Sequence, residues 1–181
     1  MHSQAAIGLG TNLGDRWANL HKALQWLETT VAPPIAASSV WESEPWGYAG
    51  QHHYLNQVVL LRTDLEPQAL LRILLGIEKQ MGRDRQSEGV TVDRIIDLDL
   101  LALEGQVHPV QDPQSSDPQG LVLPHPRLAL RRFVLLPLLE VWPNWVHPVL
   151  GQNVAEMLHH CPDESFPYRY EPTGVHTETL A

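Results

Sequence analysis

The run Arg94-Ile95-Ile96-Asp97-Leu98-Asp99-Leu100-Leu101 constrains this chain more than any other segment. Residues two apart on a strand share a face. As part of a strand over 94–103, it sends Asp97 and Asp99 to one side and Ile96, Leu98 and Leu100 to the other. Two carboxylates one strand step apart repel each other unless a cation neutralises them. Either they lie on the solvated face of an edge strand, or they hold a metal. Hard oxygen ligands with no cysteine nearby suit Mg2+, which takes one or two carboxylates and fills its shell with water and phosphate. The strongly apolar flanks argue for a core strand, and so for the metal.

The charge distribution bears on the same point. The 181 residues carry 12 Lys and Arg against 21 Asp and Glu, a formal net charge of −9. So acidic a chain lacks the cation surplus that general nucleic-acid binding needs, and no nucleic-acid partner is expected. Its cations are gathered instead. Only Lys22 and Lys79 are lysines, and six of the ten arginines form two clusters, Arg83, Arg85 and Arg94, then Arg127, Arg131 and Arg132. Such clusters are either surface ion pairs or an anion site, since the planar guanidinium matches phosphate oxygens and keeps its proton. A carboxylate pair ringed by arginines is equipment for phosphoryl transfer, where catalysis is largely positioning and charge neutralisation. Neither GxxxxGK[ST] nor GxGxxG occurs, which excludes the common P-loop and protein-kinase designs and leaves arginine, histidine and Mg2+ to hold phosphates.

Other features bound the class. An apolar fraction of 43% fits one globular domain with its own core. The single cysteine, Cys161, excludes an internal disulfide. No apolar run approaches the roughly 20 residues of a membrane span, and the first residues lack an export pattern, so a cytoplasmic location with no membrane partner is expected. The adjacent pairs His52-His53 and His159-His160 diverge and no HExxH occurs, so they read as surface residues rather than zinc ligands.

Along the chain, 5–10 reads as a buried strand running into a Gly-rich turn at 11–15. Trp17, Leu20, Leu24 and Leu27 then mark one helix face, and Pro33-Pro34 ends it. A strand over 35–43 leads into the Glu44-Pro45-Trp46-Gly47 loop, and a second over 54–62 alternates its faces. Pro67 opens a helix with the stripe Leu70, Leu74, Ile77 and Met81, and Gly82 stops it. The order is βαβ twice over. That suits a ferredoxin-like α+β fold, an antiparallel sheet with its helices on one face, although a parallel doubly wound sheet alternates similarly. The short link between the second and third strands favours antiparallel pairing. Residues 109–120 read as an exposed loop, and short helices are expected within 124–137 and at 154–159. We expect one domain over 1–160 and a draped or mobile tail over 161–181.

Read in order, these segments resemble the 6-hydroxymethyl-7,8-dihydropterin pyrophosphokinases of folate biosynthesis. The matching pieces begin with Gly8-Leu9-Gly10-Thr11-Asn12-Leu13-Gly14-Asp15, Ser43-Glu44-Pro45-Trp46-Gly47 and Tyr54-Leu55-Asn56. They continue with Ile77-Glu78, Gly82-Arg83, the 94–101 run, Leu123-Pro124-His125-Pro126-Arg127 and Arg131-Arg132-Phe133-Val134-Leu135. The resemblance implies the ferredoxin-like fold and transfer of diphosphate from ATP to the hydroxymethyl group of the pterin, with release of AMP. It implies that Asp97 and Asp99 bind two Mg2+ ions, that Arg83 and Arg94 are catalytic, and that Glu78, Leu98, His125 and Arg131 join them in holding the nucleotide. It assigns Ser43, Trp46, Tyr54, Asn56 and Phe133 to the pterin, although by themselves Trp46, Tyr54 and Phe133 could be ordinary core aromatics. ATP and the pterin are the expected partners, with no obligate protein partner. The stretch 86–93 departs from the family's usual Trp-Gly-Pro ahead of the second arginine, placing Asp93 beside Arg94. An alternative reading is therefore a catalytically weakened relative that binds nucleotide and pterin; a further one is a ligand-binding module without catalysis.

Overall fold

A computed structural model describes residues 2–83, 93–108 and 120–172. Expectations for Arg85 and the rest of 84–92, for the loop at 109–119 and for the tail beyond 172 lie outside the described residues.

The elements run β1 (Ser3–Thr11), α1 (Arg16–Thr30), β2 (Ala36–Ala37), β3 (Trp41–Ser43), β4 (Tyr54–Thr63), α2 (Pro67–Gln80) and β5 (Asp97–Leu103). A 3₁₀ turn (Leu128–Leu130), α3 (Arg132–Val141), α4 (Val154–His159) and β6 (Tyr168–Arg169) follow. The sheet order is β5-β1-β4-β3-β6, with β2 also on β4, and each pairing is antiparallel. Counting β2 and β3 as one broken strand, the first four strands lie fourth-first-third-second, the ferredoxin-like order. The parallel alternative is excluded.

Local chemistry sets the helix ends. Asp15 caps α1 by accepting the Ala18 N–H. At the end of α2, Gly82 takes φ +96°, and the Gly82 and Arg83 amides return to the Lys79 and Glu78 carbonyls. That paired closure is a Schellman motif, and it turns Arg83 back toward the helix it has just left.

The sheet is buried on both faces. Leu55, Val59 and Leu61 of β4 pack with Leu20, Leu27, Leu70, Leu74 and Ile77 of α1 and α2. Val58 and Leu60 point the other way, into Leu101, Val134, Leu135, Leu138 and Met157. The expectation of helices on one face therefore holds for α1 and α2 only. A central strand apolar on both sides needs a second layer, which α3 and α4 supply.

Three segment boundaries also differ. The strand expected over 35–43 is broken into β2 and β3, because Ser38 Oγ accepts the Val58 N–H and interrupts the regular ladder. The strand expected from Arg94 begins at Asp97; the Arg94 carbonyl instead accepts the Asn12 and Leu13 N–H groups of the turn after β1. The helical stretch expected within 124–137 runs further, since α3 passes through Pro137 to Val141. The described part of the tail is draped on the domain. Asp163 is buried, where it accepts the Arg132 N–H, and β6 pairs with β3. Among the described residues, no helix is long and apolar enough to cross a membrane.

Candidate active site

The β1 register creates the site. Gly10 stands between Asp97 on β5 and Asn56 on β4, and Gly8 stands between Asp99 and Val58. With no side chain at either glycine, the middle strand forms a floor, open at Gly10 and overlain by the Leu101 side chain at Gly8, between two walls that are two strand spacings apart, about 10 Å. Above it lies a cavity of about 550 Å³. Arg94, Asp97, Asp99, Arg127 and Arg131 form its charged part; Ser43, Trp46, Tyr54, Asn56 and Phe133 form its amide and aromatic part.

The charged wall is tied together from behind. Arg83 Nη1 lies 2.5 Å from Asp97 Oδ1, and Arg94 Nη1 lies 2.7 Å from Asp97 Oδ2. Arg83 is itself almost fully buried and also binds Glu78 Oε1 at 2.6 Å. The same Glu78 oxygen accepts the Leu98 N–H at 2.8 Å. Glu78 and Leu98, expected as nucleotide contacts, thus stand behind the wall. Their side chains point into the protein because Leu98 shares the opposite face of β5 with Ile96 and Leu100 in the core. Arg83 reaches Asp97 from that buried side.

Arg131 Nη1 stands 3.7 Å from Asp99 Oδ2. Its guanidinium lies 4.9 Å from the Trp46 ring centre and 5.6 Å from that of Phe133, so aromatic faces hold the cation in place. Arg131 Nε is buried with no hydrogen-bond partner among the described residues, a donor that an anionic ligand would satisfy. His125 donates its backbone N–H to the Leu101 carbonyl, and its Nδ1 accepts the Arg127 N–H at 3.2 Å. Burial, then the nearby Arg131 and Arg127 charges, hold the imidazole pKa down to about 4. The ring is therefore neutral at physiological pH, and because Nδ1 is an acceptor its proton sits on Nε2.

On the other wall, Asn56 Nδ2 donates to Ser43 Oγ at 2.9 Å and points its amide from the β4 edge toward β3. Tyr54 OH is 3.0 Å from Tyr48 OH; burial, then that hydrogen bond, push its pKa up, so the phenol stays protonated.

The donor set fits a hard divalent cation carried in with a ligand. Two carboxylates share one face, and among the described residues no group of three or more His, Cys, Asp or Glu forms a self-contained metal site. Mg2+ bound through one or two carboxylates needs no more, since substrate phosphate supplies the remainder. Glu44, Tyr48, Gln57, Arg127 and the two floor glycines also line the cavity but were not among the expected site residues. Their signals were present: Glu44 and Tyr48 flank Pro-Trp-Gly, Arg127 belongs to an arginine cluster, and Gly8 and Gly10 alternate along one strand.

Comparison with known proteins agrees with this geometry. Residues 6–143 match the family described as 7,8-dihydro-6-hydroxymethylpterin-pyrophosphokinase (HPPK). A Porphyromonas gingivalis protein named 2-amino-4-hydroxy-6-hydroxymethyldihydropteridine pyrophosphokinase is 44% identical over 143 residues, covering 78% of this chain and 92% of that one. A Methylorubrum extorquens protein of the same name is 39% identical over 157 residues, covering 86% and 92%. The crystal structure of wild-type Plasmodium falciparum HPPK-DHPS with STZ-DHP superposes with a TM-score of 0.70 over 88% of this chain at 17% identity, which speaks for the fold. This chain spans 43% of that longer one. On the matched span and the identity to these relatives, the chain belongs to the 7,8-dihydro-6-hydroxymethylpterin-pyrophosphokinase family.

Proposed function

We propose that this chain transfers diphosphate from ATP to the hydroxymethyl group of 6-hydroxymethyl-7,8-dihydropterin, releasing AMP, in tetrahydrofolate biosynthesis. The glycine-floored trough carries this reading, because it sets an acid-and-arginine wall opposite an amide-and-aromatic wall in one cavity. The charged wall suits a triphosphate and the other a flat heterocycle with a polar edge. Residues 1–160 form the catalytic domain in this reading, and the cytoplasm, where ATP is supplied, is its compartment.

Asn56 turns its carboxamide oxygen to the trough, as an acceptor for the donors of the pterin edge, while Nδ2 is held by Ser43 and the Trp41 carbonyl. Ser43 fixes the orientation of that amide, Tyr54 stands beside it, and Phe133 and Trp46 supply ring faces. Asp97 and Asp99 would hold Mg2+, two ions in this reading, which when bound neutralise charge on the triphosphate. Arg83 and Arg94 orient Asp97 and bring fixed positive charge to the transferring group. Arg131, clamped between rings, and His125, donating through Nε2, hold phosphate oxygens. The pterin hydroxyl oxygen attacks the β-phosphorus and releases its proton to solvent, the bond from that phosphorus to the bridging oxygen of the α-phosphate breaks, and AMP departs with the electron pair.

Three measurements test this. AMP formation should require both the hydroxymethyl pterin and Mg2+, and Asp99→Ala should lower turnover by about 10²–10³-fold, as loss of a ligand to the ion that neutralises developing charge does. AMP release without the pterin, or full activity in that variant, would contradict the reading.

The floor is tested at Gly10, where an added Cβ would meet nothing nearer than 3.7 Å. Gly10→Ala should bind the pterin within about threefold of wild type, whereas Gly10→Leu fills the trough and should weaken binding at least about tenfold. Calorimetry showing equal affinity for the two variants would remove the trough from the account.

The His125 ring signals, followed by NMR, should stay constant from pH 8 to 5 and move only near the pKa of about 4. The unfolded chain takes up this proton below about 6.5 and the folded chain does not. His125 therefore contributes a loss of stability as pH falls from about 6.5 toward 4 and none above that range. A ring inflection near the ordinary value of 6.5 would contradict the buried, arginine-flanked placement.

A further inference from the structure

The mechanism above does not use the carboxylate of Asp93, and two side chains converge on it. His52 Nδ1 bonds to Asp93 Oδ2, and Asn12 Nδ2 donates to Asp93 Oδ1 at 2.6 Å. These donors, His52 foremost, hold the Asp93 carboxyl below the usual carboxylate range, so it is anionic. His52 and Tyr48 belong to the loop over residues 44–53, which brings Glu44, Trp46 and Tyr48 to the cavity. Asn12 opens the turn after β1 and is buried.

The same residues grip the next position in the chain. Asn12 Oδ1 accepts the Arg94 N–H at 2.6 Å, and the Arg94 carbonyl accepts the Asn12 and Leu13 N–H groups at 3.1 and 3.2 Å. Asn12 Nδ2 also lies 3.2 Å from the His52 carbonyl and 3.4 Å from Tyr48 OH. An amide nitrogen has two protons, so it cannot serve Asp93, the His52 carbonyl and Tyr48 at once. Its two nearer acceptors, Asp93 and the His52 carbonyl, take them. The Asp93 carboxylate thus collects the loop through its side chain, while the adjoining backbone of Arg94 is locked to the turn after β1. From that anchored backbone Arg94 reaches Asp97.

We propose that Asp93, paired with His52, is a positioning residue for the diphosphotransfer: it clamps the cavity-lining loop over 44–53 to the backbone of Arg94, so that the pterin wall and the Arg94 guanidinium are set as one unit. This rests on the functional reading given above. Neither residue touches the reacting groups. The side chains of His52 and Asp93 are 58% and 28% exposed, so the clamp lies at the rim and opens without unpacking the core.

The test compares wild type with His52→Ala, Asp93→Ala, the double variant and His52→Asn, whose amide can place a donor where Nδ1 now stands. Hydrogen–deuterium exchange of the ligand-free protein should show the amides of 44–53 exchanging about tenfold faster in both alanine variants, with β1 and β4 amides unchanged. The KM for the hydroxymethyl pterin should rise about tenfold while that for Mg-ATP stays within about twofold, in line with loss of a hydrogen bond to a charged group. The double variant should be no worse than either single one, and His52→Asn should recover to within about twofold of wild type. Exchange and KM values unchanged in His52→Ala, losses that multiply in the double variant, or equal rises in both KM values would each overturn the proposal. If wild type forms no AMP, the functional reading fails, and the exchange comparison alone decides whether the clamp exists.

Discussion

The arrangement depends on a buried chain of charges, Glu78–Arg83–Asp97. The Glu78 and Arg83 side chains are 1% and 3% exposed. Charges so far from water persist only when paired and hydrogen-bonded, and breaking such a pair by removing one partner costs about 3–5 kcal/mol. Here the pairing joins three elements. Glu78 lies on the last turn of α2, Arg83 is returned to it by the Schellman turn at Gly82, and Asp97 opens β5. Because Glu78 also accepts the Leu98 N–H, the position and direction of β5 are fixed at the point where its two carboxylates emerge. The helix is braced against the sheet by the same contacts that aim Asp97, so fold and site are not separable there.

The second constraint is the double burial of the sheet. The layer of α1 and α2 closes one face, and α3 with α4 closes part of the other. The cavity is the portion of that second face that the helices leave open, over Gly8 and Gly10. Phe133 and Arg131 come to it from the start of α3, so the element that buries Val58 and Leu60 also supplies the far side of the site. A two-faced core thereby converts the glycine-bearing stretch of one strand into a walled trough.

Much of this was legible in the residues. The alternation of 54–62 placed Asn56 and Tyr54 opposite Leu55 correctly, Pro67 and Gly82 marked the ends of α2, and Asp97 and Asp99 share the face their spacing requires. Other features were not, for identifiable reasons. Amphipathic periodicity shows that α3 has a buried side but not which face of the sheet receives it. The break between β2 and β3 depends on a tertiary bond from the Val58 amide to Ser38 Oγ. Strand alternation already set Leu98 opposite the two acids, but the resemblance that marked Glu78 and Arg83 could not say on which side of the wall they stand, since that follows from the return of the chain after Gly82. The floor glycines were readable in principle, yet a short apolar run ending in glycine looks like a strand entering a turn, while β1 continues to Thr11.

In the proposed reaction Asp97 and Asp99 bind a nucleotide through Mg2+ rather than serving only as ion-pair partners for arginine. Calorimetric titration with a non-hydrolysable ATP analogue, with Mg2+ and then with the metal chelated, addresses this without turnover. The account predicts that Mg2+ strengthens binding at least about tenfold in wild type, and that Asp97→Asn with Asp99→Asn removes this gain. Equal affinity with and without Mg2+ would contradict it.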